Sequence, residues 1–224
     1  MSRRLEGLLS VLFLAFFLLP NSPLRAAGEI KDEDYVIESL QKRYDSTVDF
    51  VAEFRQETEF KTLNRTLKAW GKLYFKRPGR MLWRYEEPKG QIVMADGESL
   101  YFYQPEDKQV LKIRLSKAFL SDTPLSFLLG IGELKRDFKG TITGSEEGVY
   151  VLRLSPKDGL GEIGRLFLGL EKKHLDILWA RIVDAVGNVT TIRFNNMQRG
   201  VGLKDSLFRL DLPEDVDTVE LGKP

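Results

Sequence analysis

The sequence predicts a mainly β fold, an antiparallel sheet that is strongly curved or partly closed. Three observations support this fold class. Apolar and polar residues alternate in roughly ten segments, which begin about every 8–12 residues along the chain. Turn sequences such as Asp96-Gly97 separate these segments. Only two or three segments have helical periodicity, and no repeat, low-complexity stretch or linker divides the chain, so we expect one domain of mixed but mainly β structure.

Residues 1–27 are predicted to be a secretory signal peptide rather than part of the fold. Arg3 and Arg4 give a positive start, and an almost unbroken apolar run extends from Leu8 to Leu19. Spanning a bilayer takes about 20 apolar residues, which is longer than this run. Cleavage after Ala27 would leave Arg25 where a small residue is preferred, so an uncleaved membrane anchor is the alternative. Cleavage would leave residues 28–224 as the exported domain.

Composition excludes several classes of function. Without the three arginines and one glutamate of residues 1–27, the 34 basic and 33 acidic residues leave a net charge of −1. A nucleic-acid binder needs a basic excess, so none is expected as a partner. The chain has no cysteine and one histidine, which removes disulfides and the usual zinc and copper sites. We expect neither a metal nor a cofactor.

The first element after the signal peptide is predicted to be a helix over residues 32–44. Asp32 or Asp34 can cap it, and apolar residues recur at helical spacing at Val36, Ile37, Leu40 and Tyr44. Past residue 46 the period changes to two. Phe50, Ala52 and Phe54 alternate with polar positions, which predicts a strand.

The next two strands, within residues 70–85, are predicted to meet at a tight turn at Pro78-Gly79. Strand alternation places Gly71, Leu73, Phe75 and Arg77 on one side, and after the turn Met81, Trp83 and Tyr85 share a side. Arg77 therefore falls on a largely apolar face. An arginine there needs an acceptor, because burying an unpaired guanidinium is costly.

The remaining elements follow the same reasoning. Strands are predicted at residues 91–95, 99–103, 108–115, 139–143, 149–155, 164–170, 178–184, 189–196 and 206–212. A helical piece interrupts them between residues 118 and 130. Thr123 can cap it, Pro124 occupies its first turn and Gly130 ends it, and its apolar residues are Leu125, Leu128 and Leu129.

Little in the sequence favours an enzyme. His174 lies among charged residues, and no Gly-x-Ser-x-Gly motif accompanies it, so we interpret it as a solvated turn residue. Gly159 to Gly164 matches G-x-G-x-x-G, but a strand-like alternation follows where a dinucleotide site needs a helix. The aromatic residues, by contrast, occur in nearly every predicted element. They either form an ordinary core or line a cavity on the concave side of the sheet.

A series of motifs resembles one family across essentially the whole mature chain. In order, they are Phe50-x-x-x-Phe54-x-Gln56, Gly71-x-Leu-x-Phe-x-Arg77-Pro78, Trp83-x-Tyr85-x-x-Pro88, Ala95-Asp96-Gly97, Thr123-Pro124-Leu125 and Phe208-x-Leu-x-Leu-Pro213. Each motif alone is modest, whereas their order and spacing together are specific. The chain resembles the periplasmic outer-membrane lipoprotein carrier proteins, the LolA family.

The resemblance implies an unclosed antiparallel β-barrel, a half-barrel, with a helical lid over a hydrophobic cavity. Residues 119–130, with Pro124, Leu125, Leu128 and Leu129, would supply part of the lid, and Arg77 would be a latch that bonds lid backbone in the empty state. The expected cavity wall comprises Phe50, Phe54, Leu73, Phe75, Met81, Trp83, Tyr85 and Phe102. Arg80 and Arg84 would face outward.

The same resemblance implies a monomeric carrier without enzymatic activity. Acylated lipoproteins would be its cargo, an inner-membrane ABC transporter would load it, and an outer-membrane acceptor would unload it. Three alternatives stay open. They are a lipid- or lipoprotein-sensing half-barrel, a periplasmic hydrolase using His174 and a nearby acid, and a structural envelope protein whose side chains fill the cavity.

Overall fold

The computed structural model describes residues 32–115, 134–146, 148–157 and 165–221. The predicted signal peptide, the predicted helix of residues 118–130 with its lid residues, and the loop from Gly159 to Gly164 lie outside these ranges. The described helices are α1 (Glu33–Asp45), α2 (Leu134–Asp137) and a 3-10 helix (Asp205–Phe208). The strands are β1 (Asp49–Phe60), β2 (Arg65–Lys76), β3 (Arg80–Glu87), β4 (Ile92–Asp96), β5 (Ser99–Gln104), β6 (Gln109–Arg114), β7 (Phe138–Glu146), β8 (Val149–Pro156), β9 (Arg165–Glu171), β10 (Ile177–Val183), β11 (Val189–Arg199) and β12 (Asp217–Leu221).

All twelve described strands belong to one unclosed sheet, in the order β12-β6-β5-β4-β3-β2-β1-β11-β10-β9-β8-β7. Neighbouring strands are antiparallel except for β12 and β6, which are parallel. The sheet is continuous because β1 pairs with β11, which places Phe54 opposite Phe194. The mainly β, unclosed half-barrel predicted above is confirmed.

Helix α1 lies on the inner face of this sheet. Asp32 caps it by accepting a hydrogen bond from the Asp34 N–H at 3.1 Å, and Lys42 and Arg43 lie in its last turn, where cations are favoured. Val36, Ile37 and Leu40 are buried against a cluster from β7 to β10 and α2, which includes Leu134, Phe138, Leu152, Leu166, Leu168 and Ala180. A second inner cluster, from β1 to β5, continues from the first through Phe194, which packs against both.

The outer face is covered locally by the chain after β11. Asp49 is buried there, and its carboxylate accepts the N–H groups of Val201 at 2.7 Å and Leu203 at 2.9 Å. Phe208 then packs on Leu82 and Met94, which point away from the inner face. These contacts fix the segment after β11 on the back of β3 and β4.

The prediction of a strand at residues 206–212 is wrong. Its alternation of apolar residues belongs instead to the 3-10 helix and the chain after it, because Leu207, Phe208 and Leu210 pack on the outer face rather than pairing as a strand. Asp205 also binds Lys76 at 2.5 Å and Arg80 at 3.7 Å, which anchors the 3-10 helix to β2 and β3. The last strand is β12, whose residues are all exposed and carry no two-residue burial pattern.

Gly71 gives a stability test of the β2–β3 pairing. A Cβ atom on Gly71 would lie 2.1 Å from the backbone oxygen of Arg84, so the two strands would have to separate. We expect Gly71→Ala to lower the free energy of unfolding by about 2–3 kcal/mol. Gly144→Ala is the control, because its Cβ would meet Val151 at an ordinary 3.7 Å. Denaturant unfolding measures both variants, and equal stability losses would contradict the prediction.

Candidate functional site

A largely apolar cavity lies between α1 and the inner face of the sheet. About 650 Å³ of space lies within it, including the open solvent at its mouth. The volume open to the centres of water-sized molecules is only about 60 Å³, well below the range of about 300–1,000 Å³ that is usual for small-ligand sites, so the cavity must widen before it holds a ligand. The cavity is lined by Leu40, Arg43, Tyr44, Thr47, Phe50, Leu73, Phe75, Met81, Trp83, Leu175, Asp176, Ile177, Phe194, Met197 and Arg199.

The sheet side of the cavity follows from strand register. Leu73 pairs with Trp83 and Phe75 pairs with Met81, so alternate residues of β2 and β3 face the same side. Phe50 of β1 lies opposite Phe75, and their rings stack with centroids 5.0 Å apart. Five of the eight predicted wall residues therefore line the cavity, and all five lie on three neighbouring strands.

The other three predicted wall residues lie behind the cavity lining. Phe54 is buried edge-on against Trp83, with ring centroids 4.7 Å apart, and against Tyr85 at 5.0 Å. Tyr85 and Phe102 pack on the same inner cluster. These three residues support the side chains that reach the cavity.

Helix α1 covers the cavity with its C-terminal half. The ring of Tyr44 contacts that of Phe75 across the cavity, with centroids 5.4 Å apart. Burial raises the pKa of the Tyr44 phenol well above its ordinary value, although Arg77 acts in the opposite direction. Because α1 rests directly on the aromatic wall, a ligand that fills this space must displace it or push between the two.

Arg77 joins the β2–β3 turn to the end of α1. Its Nη1 donates to the Tyr44 backbone carbonyl at 3.2 Å and to the Asp45 carboxylate at 2.8 Å. The last carbonyls of a helix have no partner within the helix, so Tyr44 offers a ready acceptor. The guanidinium is half-buried and lies 5.9 Å from the Tyr44 ring centre. The structure thus gives Arg77 contacts to helical backbone above the cavity, while the predicted lid segment lies outside the described residues.

Sequence reasoning missed the lining that comes from distant parts of the chain. Leu175, Ile177, Phe194 and Met197 reach the cavity because β11 pairs with β1. Two lining residues did carry a signal in the sequence. Helical spacing predicts the buried face of α1 that includes Leu40, and Phe194 is one of the aromatic residues that are expected either in the core or in the cavity wall. Alternation with a period of two shows which residues of a strand share one face of the sheet, but it does not show which strands are neighbours.

Three charged residues line the same cavity. Asp176 lies between β9 and β10, and its Oδ1 accepts from Arg43 Nε at 3.1 Å and Nη2 at 2.9 Å. Arg199, at the end of β11, donates to the same carboxylate at 2.9 and 3.3 Å. We name Arg43, Asp176 and Arg199 the rim cluster. It connects α1 to the sheet on the β9–β11 side, as Arg77 does on the β2–β3 side.

Tyr85 gives a pH-dependent stability prediction. Burial raises the pKa of its phenol to about 12, so the folded protein retains a proton that the unfolded chain releases near pH 10. The stability contributed by the neutral phenol is complete below pH 10 and is lost as the pH rises toward 12. Between pH 9 and pH 11 we expect wild-type stability to fall by about 1 kcal/mol more than that of Tyr85→Phe.

Denaturant unfolding at the two pH values measures this difference. Tyr35→Phe is the control, because Tyr35 is half-exposed on α1. Identical pH profiles for the wild type and Tyr85→Phe would contradict the expected burial effect.

His174 lies in the turn between β9 and β10, away from the cavity lining. It is about half exposed, and its backbone N–H donates to Glu171 at 2.6 Å. Despite partial desolvation, which acts the other way, the N–H groups of Lys173 and His174 lower the pKa of Glu171. Both residues thus stabilise a turn. Among the described residues, no group of three potential metal ligands occurs and no helix has the length and apolar character needed to cross a membrane.

Comparisons with known proteins find a family match. The family model described as outer membrane lipoprotein carrier protein LolA matches residues 45–211. The outer-membrane lipoprotein carrier protein of Methylococcus capsulatus is 30% identical over 207 residues, which are 92% of this chain and 98% of that protein. The protein of the same name from Nitrosomonas europaea is 30% identical over 213 residues, or 95% and 98% of the two chains.

Solved structures share the fold at low sequence identity. An uncharacterized conserved protein from Thermus thermophilus has a TM-score of 0.53 at 11% identity, covering 84% of this chain and 98% of that one. A DUF1329 family protein from Desulfovibrio piger has a TM-score of 0.50 at 17% identity, covering 79% and 97%. These two likenesses concern the arrangement of strands alone.

Proposed function

This chain belongs to the LolA family of outer-membrane lipoprotein carrier proteins, and we propose that its cavity holds the acyl chains of a lipoprotein during transfer between the two membranes. The observation that carries this proposal is the aromatic and aliphatic cavity beneath α1. A carrier of outer-membrane lipoproteins works in the periplasm, and its role needs binding and release without chemical catalysis.

The hydrophobic effect sets the binding strength that the cavity must supply. An acyl chain of about 16 carbons gains on the order of 10 kcal/mol on leaving water, at about 0.8 kcal/mol per methylene. A lipoprotein in the aqueous periplasm therefore aggregates unless its chains are covered. The wall of Phe50, Phe75, Met81 and Trp83 offers apolar surface, and α1 would shield the other side of the chain.

Release requires that the loaded state not be too stable. Arg77 bonds the end of α1 in the structure, and we propose that cargo breaks these bonds when it moves α1. Loading then costs the energy of those bonds, and unloading recovers it. In this proposal Arg77 acts as a latch on α1, whereas the sequence predicted a latch on the lid segment.

The partners and the route follow from this proposed role. An inner-membrane ABC transporter would load the carrier, and an outer-membrane acceptor would receive the cargo. Residues 1–27 would direct export and be cleaved, which would leave residues 28–224 as a monomeric carrier domain. Outward-facing Arg84 is available for contact with such partners, whereas Arg80, the other arginine of β3, pairs with Asp205.

Loading with an acylated lipoprotein tests the proposal. The purified protein is mixed with a triacylated lipoprotein in detergent, the detergent is removed, and the soluble cargo is quantified after ultracentrifugation. We expect the carrier to keep the cargo soluble in proportion to carrier added. The control cargo carries serine in place of its lipid-bearing cysteine and should show no association. Aggregation of the acylated cargo despite excess carrier would contradict the proposal.

A further inference from the structure

The rim cluster is a charged group at the edge of an otherwise apolar cavity. Arg43 is contributed by α1, Asp176 by the connection between β9 and β10, and Arg199 by the end of β11. Their side chains are between 29% and 37% exposed, so they are accessible from solvent and also line the cavity. An acyl chain in the cavity would thus have its polar end within reach of two guanidinium groups.

The rim cluster has an excess of positive charge. Two arginines share one carboxylate, and an arginine in a protein stays protonated, so the three groups together carry one positive charge. Partial burial lowers the pKa of Arg199; Asp176 raises it and Arg43 lowers it further. Asp176 faces two guanidinium groups and can neutralise the charge of only one of them.

The guanidinium groups also retain hydrogen-bonding capacity. Each guanidinium has five N–H donors. Arg43 directs its Nε and Nη2 at Asp176, whereas Arg199 uses its two Nη atoms on Asp176 and Met197. Within the part of the chain that the structure describes, these contacts engage only some of the ten donors, and a second carboxylate could accept from those that remain. Arginine suits this purpose because its planar fork matches a carboxylate.

We propose that the cavity also binds a free long-chain carboxylate, with its chain against the aromatic wall and its headgroup on Arg43 and Arg199. Bound in this way, the carboxylate neutralises the rim cluster. The proposal rests on the proposed function, because both need an acyl chain in this cavity. It goes further by assigning a negatively charged ligand, because a lipoprotein anchored only through neutral ester and amide groups would leave the extra charge of the rim cluster uncompensated.

Paired ligands that differ only in headgroup charge separate the two contributions. Dodecanoate and its methyl ester are each titrated, as free monomers, against the protein loaded with N-phenylnaphthylamine, a neutral dye that fluoresces in apolar sites. At about pH 8 the carboxylate is fully ionised. We expect dodecanoate to displace the dye at a concentration about tenfold lower than the ester does, which corresponds to one charge-assisted contact.

Variants then locate the charge preference. Arg199→Gln and, separately, Arg43→Gln are expected to weaken dodecanoate about tenfold and leave the ester unchanged. The matched control is Arg193→Gln, an exposed arginine on the same strand as Arg199, which pairs with Glu57 at 3.9 Å. Thermal unfolding is measured for every variant, and Arg43→Gln carries the test if Arg199→Gln does not fold.

The outcomes of these titrations distinguish the carboxylate site from the proposed carrier function. Equal displacement by the two ligands, or an equal loss of both in Arg199→Gln and Arg43→Gln, would overturn the carboxylate site and make the rim cluster a purely structural contact. If neither ligand displaces the dye while acylated lipoprotein still loads, the carboxylate proposal fails and the proposed carrier function stands. If dodecanoate binds as expected but lipoprotein does not load, the carrier function fails instead.

Discussion

Phe50→Asp is expected to weaken binding of an acylated lipoprotein by at least about 100-fold. Phe50 lines the cavity and stacks on Phe75, so its loss removes apolar contact area and places a carboxylate where an acyl chain would lie. A charge in an apolar site must either keep its water, which excludes the chain, or lose it at a cost of several kcal/mol. Cargo retained in the soluble fraction over a range of carrier concentrations measures the change.

Val51→Asp is the matched control for this experiment. Val51 is the next residue of β1, is partly buried like Phe50, and lies opposite Tyr74 of β2, a residue of the outer-face cluster. We expect Val51→Asp to retain cargo like the wild type, provided that both variants unfold at comparable temperatures. Equal retention by Phe50→Asp and the wild type would place the cargo somewhere other than this cavity.

Arg77→Leu is expected to bind cargo as well as or better than the wild type and to transfer it about tenfold more slowly. The substitution removes the bonds from Arg77 to the Tyr44 carbonyl and the Asp45 carboxylate, and with them part of the cost of moving α1. Because hydrogen bonds of a charged group contribute about 1.5–3 kcal/mol, their loss shifts the balance toward the loaded state. Transfer from loaded carrier to outer-membrane vesicles, followed over time, measures the effect.

Arg84→Leu provides the control for the latch. Arg84 is exposed on the outer side of β3, with its guanidinium 5.8 Å from the ring centre of Tyr74. Its loss removes a positive charge without touching α1. Normal transfer by Arg77→Leu would eliminate the latch, and slow transfer by both variants would indicate that the charge of this region, rather than the contact with α1, governs release.

The sequence predicts one side of the cavity well because strand alternation is local. Leu73, Phe75, Met81 and Trp83 lie within two consecutive strands joined by a tight turn, so their shared face follows from a period of two. The N-terminal helix is also predicted from local features, namely a capping aspartate and apolar residues at helical spacing. In these regions, the residues that determine the structure are close together in the chain.

The rest of the site depends on contacts between distant residues. Arg43, Asp176 and Arg199 meet because β11 pairs with both β1 and β10, and no local pattern specifies the pairing of β1 with β11. The 3-10 helix at Asp205–Phe208 was mistaken for a strand for a related reason. Its alternating apolar residues pack on the outer face of the sheet. The surface against which they pack determines the local structure there, and the alternation alone does not reveal that surface.

Native mass spectrometry of the protein after loading with a triacylated lipoprotein tests the central claim most directly, namely that one cavity beneath α1 covers the acyl chains of one cargo molecule. We expect a one-to-one complex in the wild type, whose abundance falls in Phe50→Asp and not in Val51→Asp. Unbound carrier beside aggregated cargo, or a complex that is equally abundant with Phe50→Asp, would contradict it.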